Sequence, residues 1–493
     1  MTPETESRWI GRAKAEPLML FLAIICAVIL LWTAAMPIWR AFLFAELDYN
    51  EGWNVYNTLK AASHQQLYST TYGWTAVNYP ALSFHLVAFL GRFTSEYLFT
   101  ARILSLLGLC LSALFAGAIV KLTTQSRSAA WMTGGFLVAW FCAAADSYVG
   151  TDDPQMLAQA FFMAGIYVYL RGGRRGWALE AAALLFVVGG NIKHSPIEFP
   201  LAVLLDLLFT SPRRALRFAA SGGLMAAFSV LMTRQIDGAA YISCMTTPRA
   251  YSAMEGVDTM LLLPQYSPLP ALAALVAAFS CWKDPRRRVL ALLLCCALAI
   301  DTVFCGGSGV DINGFFGSML AMAVLCGIFA AESASPRWGR FSLRSPMAAG
   351  AIFFLGLALP MVHSGNARPD KTFAANREAA RRFGVEVAYL RAQPGPAICE
   401  SMLRCAYAGK PYLYDPFNAT RFIGAGKLDP GVMIDRIKDH AYGAIQMYND
   451  VDQKLADPEP QMSFTIPILQ AIDKYYTPGL ENEDGVIYLP KNQ

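Results

Sequence analysis

The feature that most constrains this chain is a series of apolar runs, repeated through all but its last part, that are suited to crossing a lipid bilayer. A spanning helix needs about 20 mostly apolar residues, because every backbone N–H and C=O must find its partner inside the segment once water is gone. Eleven stretches are read as spans: Leu18–Met36, Ala101–Val120, Ala129–Ala145, Met156–Leu170, Trp177–Gly190, Pro196–Phe209, Leu216–Thr233, Leu269–Trp282, Val289–Cys305, Phe315–Ala331 and Pro346–Met361. A twelfth, Tyr79–Phe93, is short and carries His85. The first stretch is long for a signal peptide, and no small-residue cleavage site precedes the polar loop that follows, so it is expected to stay as a span. Beyond Met361 the pattern stops, and residues 365–493 have ordinary polar content. Only 15% of the whole chain is charged, against roughly 25% in a soluble protein. The expected architecture is mainly α. A polytopic helical membrane domain covers residues 1–364, and a small α/β extracytoplasmic domain covers 365–493.

The distribution of Lys and Arg sets the orientation, since cytoplasmic connections carry the excess. One set of connections is basic: Arg8/Arg12/Lys14, Lys121/Arg127, Arg171/Arg174/Arg175, Arg213/Arg214/Arg217, Lys283/Arg286/Arg287/Arg288 and Arg337/Arg340/Arg344. The alternate set is poor in Lys and Arg and rich in acids, aromatics and Gly: Ile38–Arg102, Asp146–Gln155, Asn191–Ser195, Arg234–Pro268 and Cys305–Gly314. The two sets alternate without a break only if Tyr79–Phe93 does not cross, which makes it an interfacial or re-entrant helix. An odd number of spans then puts the N-terminus in the cytoplasm and the C-terminal domain outside, in the periplasm or beyond. The net charge of +4 gives no reason to expect a nucleic-acid partner.

The outer connections hold the reactive side chains. The first contains Glu46-Leu47-Asp48-Tyr49-Asn50-Glu51-Gly52-Trp53, directly after the first span, and the second contains Gly150-Thr151-Asp152-Asp153-Pro154. Acids at a membrane boundary are costly unless hydrated, paired or bound to a metal. Helix capping is the competing explanation for Asp152 and Asp153, which precede a helix whose N-terminal dipole favours anions. Two acidic clusters in separate loops on one face favour a shared site.

The stretch Asp48-Tyr49-Asn50-Glu51-Gly52, followed by Leu67-Tyr68, Tyr79-Pro80-Ala81-Leu82, Arg102-Ile103-Leu104-Ser105 and Asp152-Asp153-Pro154, resembles the N-terminal half of bacterial integral-membrane glycosyltransferases of the GT-C type. These are the relatives of the dolichyl-phosphate-mannose and aminoarabinose transferases. The resemblance runs from about Ile38 to Leu208 and continues more weakly through Gly309-Val310-Asp311-Ile312-Asn313-Gly314. It implies a donor sugar on a polyprenyl phosphate, a lipid, glycan or protein acceptor, and transfer in an outward-facing cavity of the bacterial inner membrane.

Such transfer needs a base for the acceptor hydroxyl and a positive group for the departing phosphate. The resemblance assigns the base to the first-loop acid, Asp48, with Glu51 beside it as the alternative, because Tyr49 and Asn50 separate two acids that the family pattern places together. Asp153 or Asp152 would orient the acceptor, or share a divalent metal with Asp48. Carboxylates suit Mg or Mn. Lys193, the one Lys or Arg of the loop Asn191-Ile192-Lys193-His194-Ser195, is a candidate for the phosphate, against the alternative of a lysine snorkelling from a helix end. His194, Arg249 and Asn313 are further candidates for substrate contact. For His194 a packed polar role competes, for Arg249 a solvated loop charge, and for Asn313 a tight turn beside Asp311. Trp53, Tyr56, Tyr68, Tyr72, Trp74 and Tyr79 crowd the first outer loop, as an interfacial aromatic belt would.

In the C-terminal part, Ala374–Ala392 and Pro430–His440 read as helices, and Ala397–Glu400 and Ala444–Met447 as strands. Asp415-Pro416-Phe417-Asn418 reads as a turn. Of the eleven cysteines, Cys399 and Cys405 fall in the domain expected outside, an oxidising space where a disulfide persists. A transporter or a non-catalytic glycolipid-binding protein is the alternative function. A transporter would be expected to show inverted repeats and broken helices at the membrane midplane; this chain keeps its acids at one interface and shows no repeat.

Overall fold

A computed structural model of the chain describes residues 3–172, 176–333, 346–357, 369–456 and 463–491. The basic positions Arg174, Arg175, Arg337, Arg340 and Arg344, the last residues of the eleventh expected span, and the expected boundary at residues 364 and 365 lie outside the described residues.

The chain opens with α1 (Pro3–Arg40). Two short helices, α2 (Asn50–Ala62) and α3 (Leu82–Thr94), fill the first long connection. Then follow α4 (Tyr97–Thr124), α5 (Arg127–Ala144), α6 (Gln155–Gly172), α7 (Trp177–Ile192), α8 (Glu198–Thr210) and α9 (Pro212–Asp237). A second long connection carries α10 (Tyr241–Met245) and α11 (Ala253–Tyr266), ahead of α12 (Pro268–Trp282), α13 (Arg288–Cys305), α14 (Phe316–Ser333) and α15 (Pro346–Gly356).

Each of the eleven expected spans coincides with one of these helices over its described residues. Among the described residues, five helices are long and apolar enough to cross a membrane: Phe21–Arg40, Tyr97–Thr124, Pro212–Asp237, Arg288–Cys305 and Ile312–Ser333. The pair Ala253–Leu263 and Pro268–Trp282, bent by 94°, would make a sixth. The other expected spans are shorter or more polar. Polar side chains on them, such as Thr133, Gln159 and Asp206, are buried against neighbouring helices and are not turned toward lipid. The chain is a multi-pass membrane protein by these helices. Leu31, Trp131, Leu216, Leu224, Phe228 and Phe279 lie exposed on their outer faces, as a lipid-facing surface requires.

Small residues let the helices approach. Gly108 of α4 faces the backbone of α6, where an added Cβ would stand 2.5 Å from the backbone nitrogen of Leu157. Membrane helices use such contacts because packing replaces the hydrophobic drive between them. The stretch Tyr79–Phe93, expected not to cross, overlaps the 13-residue helix α3, which packs on α2 and α4.

The C-terminal part is a four-stranded sheet with helices. Its strands β1 (Ala397–Cys399), β2 (Ala444–Met447), β3 (Tyr476–Asn482) and β4 (Gly485–Pro490) stand in the order β1-β2-β4-β3. β1 pairs parallel to β2, and β4 runs antiparallel to β2 and β3. Helix Pro369–Ala392 leads into it, and helix Met402–Tyr407 follows β1. The stretch read as a turn at Asp415 instead starts helix Pro416–Gly424. Asp415 caps that helix by accepting from the Asn418 backbone N–H at 3.0 Å, and Pro416 occupies its first turn. Cys399 and Cys405 form a disulfide.

Candidate functional site

The first acidic loop folds back on itself before α2. Asp48 Oδ1 accepts from the backbone N–H of Asn50 at 2.9 Å and from its Nδ2 at 2.8 Å. Its Oδ2 accepts no hydrogen bond from the described residues. Burial, with Asp153 and Glu51 adding negative charge nearby, raises Asp48 above the usual carboxylate range, and the two bonds from Asn50 oppose the rise.

Glu51 has a different situation. It is fully buried and paired with Arg102, with Arg102 Nε 2.7 Å from Oε1 and Nη2 2.6 Å from Oε2. The backbone N–H of Leu47 donates to Oε2 at 2.7 Å, and that of Asp152 to Oε1 at 3.0 Å. Arg102 also donates to the carbonyls of Leu43 and Ala45. The pair therefore ties the first long connection, α4 and the connection ahead of α6 together. Both carboxylate oxygens of Glu51 are engaged.

Asp152 and Asp153 also diverge. Asp152 lines a small crevice with Asn54 and Thr58; its Oδ2 is buried without a partner, and burial pushes it well above the usual carboxylate range. Asp153 Oδ1 accepts from the Gln155 backbone N–H at 2.7 Å at the start of α6, and its Oδ2 stands 3.8 Å from Lys193 Nζ. Lys193 is 5% exposed and sits 3.5 Å from the centre of the Tyr79 ring. Burial lowers the ammonium to about 8, with Asp153 opposing the fall.

Beside these groups lies a cavity of about 370 Å³. Lys193, His194, Arg249 and Asn313 line it directly. Asp48, Glu51, Asp152 and Asp153 are not among its lining residues; Asp48 is next to the lining residues Tyr49 and Asn50, and Asp153 stands beside the lining Lys193. Burial lowers His194 to about 4, with Lys193 and Arg249 adding to the fall, so it is neutral at pH 7. Asn313 is held by Gln155, which accepts from its Nδ2 at 3.1 Å and donates to its carbonyl at 2.6 Å.

The cavity also draws on residues that were not among the site candidates. Tyr79, Glu198, Asp301, Phe417 and Asp415 line it. Asp415 accepts from Trp53 Nε1 at 3.1 Å, joining the C-terminal part to α2 across the cavity. The Asp-Pro dipeptide at 415 and 416, a helix-start signal, could have found that helix; nothing local could have placed it over α2. Arg421 on the same helix donates to Thr247 at 3.2 Å, beside Arg249.

A divalent metal between Asp48 and Asp153 finds little support in this donor set. Among the described residues, no group of three or more His, Cys, Asp and Glu side chains converges. Asp153 instead faces an ammonium.

Several solved structures have this arrangement of helices. ArnT from Cupriavidus metallidurans bound to undecaprenyl phosphate superposes with a TM-score of 0.61, at 13% identity, over 96% of this chain and 98% of that one. The chain shares the fold of GT-C type glycosyltransferases. The archaeal oligosaccharyltransferase AglB from Archaeoglobus fulgidus, in complex with an inhibitory peptide and a dolichol-phosphate, matches at a TM-score of 0.54 and 10% identity, over 92% of this chain and 72% of that one. The Archaeoglobus fulgidus oligosaccharyltransferase in complex with Zn and sulfate matches at 0.52 and 11% identity, over 94% and 73%. At the level of sequence, no family model and no curated protein matches.

Proposed function

We propose that this chain is a glycosyltransferase that moves a sugar from a polyprenyl-phosphate donor to an acceptor at the outer face of the bacterial inner membrane. The observation that carries the reading is a single cavity that sets two cations, Lys193 and Arg249, beside the loop of a carboxylate with a free oxygen, Asp48. Its support from comparison is that a protein of the same fold binds undecaprenyl phosphate and another binds a dolichol-phosphate.

In this reading Asp48 Oδ2 takes the proton of the acceptor hydroxyl. The acceptor oxygen bonds to the anomeric carbon as the bond from that carbon to the phosphate oxygen breaks. The bonding electrons leave with the lipid phosphate, which Lys193 and Arg249 stabilise. Asp153 holds Lys193 in place, and Glu51 with Arg102 braces the loop that presents Asp48. Asp48 is preferred to Glu51 as base because the oxygens of Glu51 are already engaged. The disulfide between Cys399 and Cys405 supports an outer location for the C-terminal domain, since such bonds persist in oxidising compartments.

The test is a transfer assay with the purified protein in lipid nanodiscs, a panel of polyprenyl-phosphate sugars, and membrane extract as the source of acceptors. Transfer from at least one donor, lost in Asp48→Asn, is the expected outcome. No transfer from any donor, together with no binding of polyprenyl phosphate, would overturn the reading.

A further inference from the structure

Two carboxyl groups lining the cavity take no part in the chemistry above. Glu198 opens α8, and Asp301 lies near the end of α13. Both line the cavity, and they are only 1% and 3% exposed. Asp301 Oδ2 accepts from the backbone N–H of Ser318 at 2.9 Å and from its hydroxyl at 2.7 Å, in the first turn of α14. Glu198 packs against Gly317 of the same turn, where a Cβ would stand 2.2 Å from its Oε1. Its Oε2 is buried without a hydrogen-bond partner. The two carboxyls meet the first turn of α14 at adjacent residues, Gly317 and Ser318, and neither forms an ion pair with a Lys, Arg or His among the described residues.

Acids among membrane helices are costly and mark functional positions when they face a cavity. Here the helix starts of α8 and α14 offset part of that cost, but they leave Glu198 Oε2 unsatisfied. Glu198 Oε2 lacks a hydrogen-bond donor, and the cavity that both carboxyls line is open to a ligand that carries several.

On the glycosyltransferase reading, we propose that Glu198 and Asp301 form the subsite that holds the hydroxyl groups of the donor sugar while Lys193 and Arg249 hold its phosphate. A carboxyl group accepts from a sugar hydroxyl and, when protonated, also donates to one, so the pair suits a ring that carries several hydroxyls. A site built this way rejects a ring that lacks the matching hydroxyl, because its own buried acceptors would stay unpaired. Gly317 leaves the room that the Glu198 carboxyl occupies; any side chain there would push it aside.

The experiment measures binding of two ligands to the full-length protein in nanodiscs: a polyprenyl-phosphate hexose that the wild type transfers, and polyprenyl phosphate without sugar. The variants are Glu198→Gln and Asp301→Asn, which keep shape and, at Asp301, an acceptor for Ser318. Affinity for the sugar-bearing donor should fall tenfold or more in each folded variant, while affinity for bare polyprenyl phosphate stays within twofold. A deoxy-hexose donor should bind the wild type as weakly as the hexose binds the variants. Unchanged hexose affinity in a folded variant overturns the subsite and leaves the transferase reading standing. An equal loss for both ligands also overturns it, by marking the pair as structural. A wild type that binds neither ligand removes the transferase reading and the subsite with it.

Discussion

At the scale of single residues, the two acids of the first loop separate by what their oxygens touch. Asp48 keeps one oxygen free, so Asp48→Asn should leave folding intact and lower turnover by about 10²–10⁴-fold, the contribution of a general base. Initial rates and thermal unfolding of the same preparation check both halves. Glu51→Gln should do the reverse. It leaves Arg102 buried and short of its counter-charge, which costs about 3–5 kcal/mol, and the protein should melt earlier or fail to accumulate. Full activity in both variants would remove the first loop from the mechanism. Lys193 offers a pH test. Burial lowers it to about 8, so the ammonium is present below that value and lost above it. Affinity for polyprenyl phosphate should be level up to about pH 7 and fall as the pH rises through 8. Arg stays charged throughout, so Lys193→Arg should bind at pH 9 nearly as it does at pH 7, whereas Lys193→Ala should lose roughly 1.5–3 kcal/mol, tenfold to a hundredfold, at pH 7. A flat profile in the wild type would return Lys193 to a snorkelling role.

At the scale of elements, the decisive contact is α2 against helix Met402–Tyr407. Gly52 meets the backbone there; a Cβ would stand 2.1 Å from the Leu403 nitrogen. Because the neighbour is backbone, it has no rotamer with which to yield. Gly52→Ala should therefore lift the C-terminal helix off α2, costing about 1–3 kcal/mol as overpacking does. Limited proteolysis should cut the C-terminal part faster than in the wild type. Unaltered protease resistance and melting would mean that the contact is softer than its geometry. The same helix carries Arg404, buried between Glu386 and Glu46, with Tyr448 also donating to Glu46 at 2.8 Å. These bonds anchor the connection after α1, which carries Asp48, to the C-terminal part.

At the scale of the whole molecule, the arrangement depends on sidedness. A reporter active only outside the cytoplasm should be active when fused to the C-terminal end and silent when inserted after Thr124, in a basic connection. Thiol labelling should agree: Cys399 and Cys405 should resist alkylation until a reductant is added. A silent C-terminal reporter with freely reactive cysteines would invert the topology and place the cavity on the cytoplasmic side.

The helices were legible from the sequence because a bilayer imposes a one-dimensional rule. A segment without water must satisfy its own backbone, and apolar length records that directly. The strand Ala444–Met447 was legible from local pattern in the same way, and so was the helix read as Ala374–Ala392, which begins earlier, at Pro369. The acids at 48, 51, 152 and 153 were visible as candidates, but their differences were not. Whether a carboxylate is free or engaged depends on partners far along the chain: Arg102 for Glu51, Lys193 for Asp153. The part of Asp415 was hidden for the same reason, since its bond to Trp53 spans 362 residues. Sequence alone determined where the apolar helices lie, because that is a matter of local composition. Only the tertiary structure decided which charges share a cavity, because charge pairing is settled by distance in space between helices that the sequence keeps far apart.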